Sequence, residues 1–120
     1  MRAKYIVGLM LDDINNRRLE AVVFSTSARH DVIADAFGFG NNVVSAGFFE
    51  IDKSDVIVLG GVYLGSESLG IGPQDFDVKY IKLALGLCDP EPMPEEEQMW
   101  DYQKGLQVIK ENNKKEKNHH

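Results

Sequence analysis

The chain has 120 residues, 43% of them hydrophobic, and a net charge of −6 from 19 acidic and 13 basic side chains. This is enough apolar material for one core and too little chain for two independent ones, and the acidic balance argues against nucleic-acid binding by phosphate neutralisation. A single cysteine, Cys88, excludes an internal disulfide and a thiolate zinc cage, so a reducing, cytoplasmic setting is expected.

At the amino terminus, Arg2 and Lys4 precede a short apolar run that Asp12 and Asp13 end. The run is too short for a secretory core or a membrane span, so neither a targeting segment nor a membrane partner is expected. "KYIVGLML" (4–11) and "RRLEAVVFST" (17–26) are rich in β-branched and aromatic residues and flank the turn formers "DDINN". They predict a β-hairpin.

"STSARHDVIADAFGFG" follows, with Thr26 or Ser27 as a helix N-cap and Gly38 where a left-handed C-cap residue would sit. The spacing predicts a short helix over 28–37, with Ile33, Ala36 and Phe37 on its packed stripe and His30 at the edge of that face. "NVVSAGFFEI" (42–51) and "DVIVLGGVYLG" (55–65) then read as a second hairpin around "DKS". Their continuous apolarity predicts central strands, or else an edge that a second subunit covers, because neither has the lysines and prolines that blunt edges.

"PQDFDVKYIKLALGL" (73–87) carries Phe76, Tyr80, Leu83, Ala84 and Leu87 at helical spacing, with Lys79 and Lys82 pointing away. The fold class expected is therefore α+β in ββαββα order: a mainly antiparallel four-stranded sheet with two helices on one face, plus a C-terminal helix. Residues 1–88 form the expected domain.

Charge divides the rest of the chain. Residues 1–88 hold eight basic against eleven acidic side chains, while 89–98, "DPEPMPEEEQ", hold five acids and three prolines with no base. The latter composition cannot build a core and predicts an acidic, Pro-rich linker. Over 99–113, Met99, Tyr102, Leu106 and Ile109 recur at intervals of three and four with Trp100 beside them, which predicts an amphipathic docking helix. Residues 114–120 are expected to be a disordered tail, and His119 and His120 within it are set aside from metal reasoning.

Three constellations invite a chemical reading. "GSESLGIGPQDF" (65–76) brings Gly65, Gly70, Gly72, Ser66 and Ser68 to a helix start with Pro73. It lacks both the phosphate-loop and the dinucleotide spacing, and Glu67, Asp75 and Asp77 would repel an anion, so a strand-to-helix turn is the expectation. "STSARHD" (25–31) gathers hydroxyls with Arg29, His30 and Asp31, yet Asp31 is the immediate neighbour of His30 and points about 100° away around a helix, a poor position for orienting the imidazole. The pairs Asp12 with Asp13, Asp52 with Asp55, and Asp75 with Asp77 all fall in predicted turns or at a helix start, and the "DKSD" turn lacks the convergent oxygens of a calcium loop.

No catalytic residue, metal site or cofactor is expected. The function expected is a non-catalytic protein-interaction or regulatory module, homo-oligomeric or bound to another protein, with Met99, Trp100, Tyr102, Leu106 and Ile109 as its contact residues. The alternative is a small polar-ligand binding protein or enzyme with a pocket between loops 25–30 and 65–73, in which Ser27, Arg29, His30, Ser66 and Ser68 converge.

Overall fold

The computed structural model describes residues 1–10, 18–40, 42–60, 69–87 and 94–117. The elements are β1 (Arg2–Met10), β2 (Arg18–Phe24), α1 (His30–Ala36), β3 (Val43–Ile51), β4 (Ile57–Leu59), α2 (Asp77–Leu85) and α3 (Glu95–Lys117). The four strands form one sheet in the order β2-β1-β3-β4, every neighbouring pair antiparallel. The α+β class holds.

The central strand β1 is apolar on both sides of its pleat, and that decides the layering. Tyr5, Val7 and Leu9 point into one core with Val44, Phe49, Phe76, Ile81, Tyr102 and Ile109. Ile6, between them in sequence, points into a second core with Ala34, Phe39, Val43 and Ala46. Helices α2 and α3 therefore cover one face and α1 the other, which corrects the expectation of two helices on the same face. A strand with two buried faces needs cover on both, and α1 supplies the second.

A bulge on β3 shapes the first core. Val7 pairs with Ser45 while Gly8 pairs with Val43, so Val44 is the extra residue. A bulge re-aims side chains, and here the consecutive residues Val44 and Ser45 both point toward α2 and α3.

Local chemistry moves several element ends. The hydroxyl of Ser25 accepts from Ser27 N at 3.2 Å, and Ala28 N donates to Ser25 O at 3.1 Å, so the hydroxyls close a turn instead of capping a helix. Consequently α1 begins at His30, with Arg29 in the cap position and no side-chain cap bond, while Gly38 takes the left-handed φ of 73° after its end. On α1, His30 and Ala34 are the buried pair and Phe37 is exposed, so the packed stripe lies to one side of the expected one. Likewise Ile81 is buried on α2, whereas Leu83 is 42% exposed.

The strand expected over 55–65 is described only as the three residues of β4, at the sheet edge, with Val58 60% exposed. Residues 61–68 lie outside the described residues. Helix α3 starts at Glu95, taking in the last residues of the expected linker, and continues to Lys117, through part of the expected tail. It lies across the sheet where Gly105 lacks a side chain: a Cβ there would sit 3.1 Å from Leu19 and from Val44.

Candidate functional site

Among the described residues, the buried polar side chains Asp77, Ser45, His30 and Asp101 fall in three clusters, each of which reads as a tie between elements. Asp77, with no exposed surface, opens α2 and accepts from Ser45 Oγ at 2.6 Å, from the Tyr5 hydroxyl and from Gln74 N at 2.9 Å. Burial raises its pKa above the ordinary carboxylate value, against the lowering effect of those hydrogen bonds. Burial and the neighbouring Asp77 likewise push the Tyr5 phenol upward. A sealed carboxylate with all its donors supplied by the chain itself binds helix to sheet and offers nothing to a substrate.

On the opposite face His30, only 3% exposed, donates from Nε2 to Gly47 O at 2.9 Å and stands edge-on between the rings of Phe24 and Phe48. Only a protonated ring nitrogen can bond a carbonyl, so this contact places the proton of the neutral ring on Nε2. Burial is the main cause of its lowered pKa, with Lys4 adding to it and the Gly47 carbonyl opposing it. The third cluster joins α2 to α3: Lys79 Nζ lies 2.6 Å from Glu97 and 2.7 Å from Asp101, and the Tyr80 hydroxyl donates to Asp101 at 2.9 Å.

The residues expected to line a polar pocket are not gathered into one among the described residues. Ser27 and Arg29 sit at the surface, where Arg29 pairs with Asp31 at 2.9 Å, while His30 turns its ring into the sheet. Ser66 and Ser68 lie outside the described residues. Both segments reach the same stretch of β3: Ala46 N donates to Gly72 O at 3.3 Å, one residue from the carbonyl that holds His30. Of the acidic pairs, Asp52 accepts from Ser54 N and Val56 N in a turn, and Asp75 bonds Lys104 at 2.5 Å. Among the described residues no group of three histidine, cysteine or acidic side chains is placed to hold a metal, and no helix is long and apolar enough to cross a membrane.

The expected contact seam of α3 divides. Tyr102 and Ile109 are buried in the chain's own core and Leu106 packs against it, whereas Met99 and Trp100 face outward, Trp100 with 67% of its surface exposed.

A groove that the sequence reading did not single out lies along β2. It has a volume of about 330 Å³ and is bounded by Arg18 to Ala21 on the strand, by Tyr80, Leu83 and Ala84 on α2, and by Gln98 on α3. Among the described residues no strand pairs with the outer edge of β2, and the strand has no lysine, proline or bulge. Two signals pointed here: the alternation of Arg18 and Glu20 with Leu19 and Ala21, and a leucine in α2 beyond what one buried stripe accommodates. Compared with known proteins, the chain matches no family, no curated protein and no solved structure closely enough to carry inference, so its own residues carry the functional reading.

Proposed function

We propose that this protein is a non-catalytic contact module that associates with a second copy of itself. The observation that carries the reading is the groove beside the outer edge of β2, where Leu83 and Ala84 stand exposed above a strand whose outer side pairs with no other strand among the described residues. Self-association is favoured over nucleic-acid binding by the net charge of −6, and the single cysteine fits a reducing cytoplasmic setting. The polar clusters support the same reading, because each is engaged within the fold, two tying a helix to the sheet and the third tying α2 to α3.

Sedimentation equilibrium across a wide concentration range tests it. The full chain is expected at twice its monomer mass, and Leu83→Glu is expected to return it to monomer while leaving the thermal midpoint nearly unchanged. A chain that remains monomeric at every concentration would rule the reading out.

A further inference from the structure

Resting on the self-association reading, we infer that the two copies join by antiparallel pairing of their β2 edges about a two-fold axis at Ala21, with Arg18 of each copy laid over the Phe24 ring of the other. Residues opposed across an antiparallel junction point to the same face of the sheet, so a two-fold axis normal to it must pass through a residue position. An axis at Ala21, the midpoint of Arg18–Phe24, opposes all seven residues of the strand with one another, and an axis at any other position of β2 leaves one end of the strand opposite residues outside it. The same construction on the other edge, β4, joins only three residues. Length therefore selects β2, and Ala21 within it.

The pairs that this axis creates match on both faces. Toward α2 and α3, Leu19 opposes Val23 and Ala21 opposes itself, so apolar side chains meet apolar ones and the smallest stands at the axis. Leu83 and Ala84 share the groove with Leu19, so they would meet Val23 of the incoming strand. Toward α1, Glu20 opposes Val22, which keeps the two Glu20 carboxylates from facing each other, and Arg18 opposes Phe24. Within one copy the same sheet face already sets a cation opposite an aromatic ring: Lys4 pairs with Phe48 across β1 and β3, its Nζ 5.3 Å from the ring centroid, and on its other side Lys4 pairs with Phe24. Arg18 of the second copy would continue that row, giving Phe48, Lys4, Phe24 and Arg18 in succession. Its guanidinium can reach: the Arg18 side chain is 56% exposed, and its contact with Glu20, at 4.0 Å, is at the outer limit of an ion pair.

Single cysteines in a Cys88→Ser background locate the axis, because only a residue on it faces its own copy closely enough for a disulfide. Ala21→Cys is expected to give a disulfide-linked dimer under mild oxidation, whereas Glu20→Cys and Val22→Cys, displaced from the axis, are expected to stay unlinked. Arg18→Ala removes two cation–ring contacts per dimer and is expected to weaken association about tenfold, while Val58→Lys on the far edge is expected to leave it unchanged. Amide exchange at alternate residues of 18–24 in the unaltered chain is expected to slow as concentration rises, which keeps the test open if Ala21→Cys folds poorly. Linkage at position 20 or 22 in place of 21, or a dimer indifferent to Arg18→Ala, would overturn this arrangement while leaving self-association intact. Dissociation by Val58→Lys, or protection that grows in β4 in place of β2, would overturn it by moving the interface to the far edge. A monomeric unaltered chain would remove both proposals.

Discussion

Tyr5 and Asp77 lie 72 positions apart in sequence and meet in the core, where the phenol donates to a carboxylate oxygen. With Ser45 and Gln74 also donating to it, Asp77 holds the start of α2 against the two central strands. The pKa shift of such a residue is also a statement about stability.

Burial raises Asp77 in the folded chain above its ordinary 3.8, so the folded state keeps the proton to higher pH than the unfolded state does. Its favourable contribution is complete below 3.8 and is lost as pH rises through the folded value. Asp77→Asn removes this decline, because the amide oxygen can accept from Tyr5 and Gln74 while its NH2 group donates to a rotated Ser45 hydroxyl. Asp77→Ala strands three donors and is expected to cost about 3 kcal/mol. Urea unfolding of the three proteins over a series of pH values measures both effects.

His30 has the opposite sign. Its folded value lies below 6.5, so the unfolded chain binds the proton first as pH falls. Stability is therefore full above 6.5 and drops as pH falls from there through the folded value. His30→Gln, which retains a donor for the Gly47 carbonyl but cannot titrate, is expected to lower the thermal midpoint at neutral pH and to flatten its decline in acid.

Two glycines make contrasting predictions. A Cβ on Gly8 would stand 2.5 Å from the ring of Phe39, so Gly8→Ala overpacks the α1 side of the sheet and is expected to cost about 1–3 kcal/mol. Gly105→Ala meets Leu19 and Val44 at 3.1 Å but gains about 1 kcal/mol of helix propensity, and the net change is expected to be much smaller. Parallel urea melts distinguish the two.

A chain ending at Leu87 loses Tyr102, Ile109 and the carboxylates that hold Lys79 and Tyr80. Each large buried side chain contributes roughly 2 kcal/mol, so the loss is comparable with the whole stability of a small domain. The shortened chain is expected to lose its cooperative thermal transition by circular dichroism, whereas Trp100→Ala, at an exposed position, is expected to retain it.

The kinds of element were legible because period-two and helical spacings are local properties: the first hairpin, β3, the three helices and the glycine after α1 could all be read from neighbouring residues. What was not legible depends on pairing at a distance. The pleat puts Tyr5 and Ile6 on opposite faces, but nothing in "KYIVGLML" says which element covers each face, so the side taken by α1 was open. The bulge at Val44 exists only relative to β1, and without it Ser45 gives no sign of reaching Asp77. For the same reason Asp77 read as a helix-terminus carboxylate of ordinary kind. The seam of α3 was readable as a surface needing cover, but which surface would cover it depended on Gly105 meeting Leu19 and Val44. The groove at β2 became recognisable as a candidate only when strand order left that edge without a partner strand among the described residues.

The placement of α3 also sets a schedule for the newborn chain. While the ribosome is still adding residues 95–117, the floor built from Tyr5, Val7 and Val44 has only α2 above it. Closure of this core therefore waits on α3, and a product stalled or cleaved before it would present a half-roofed apolar face of the kind that chaperones and proteases recognise.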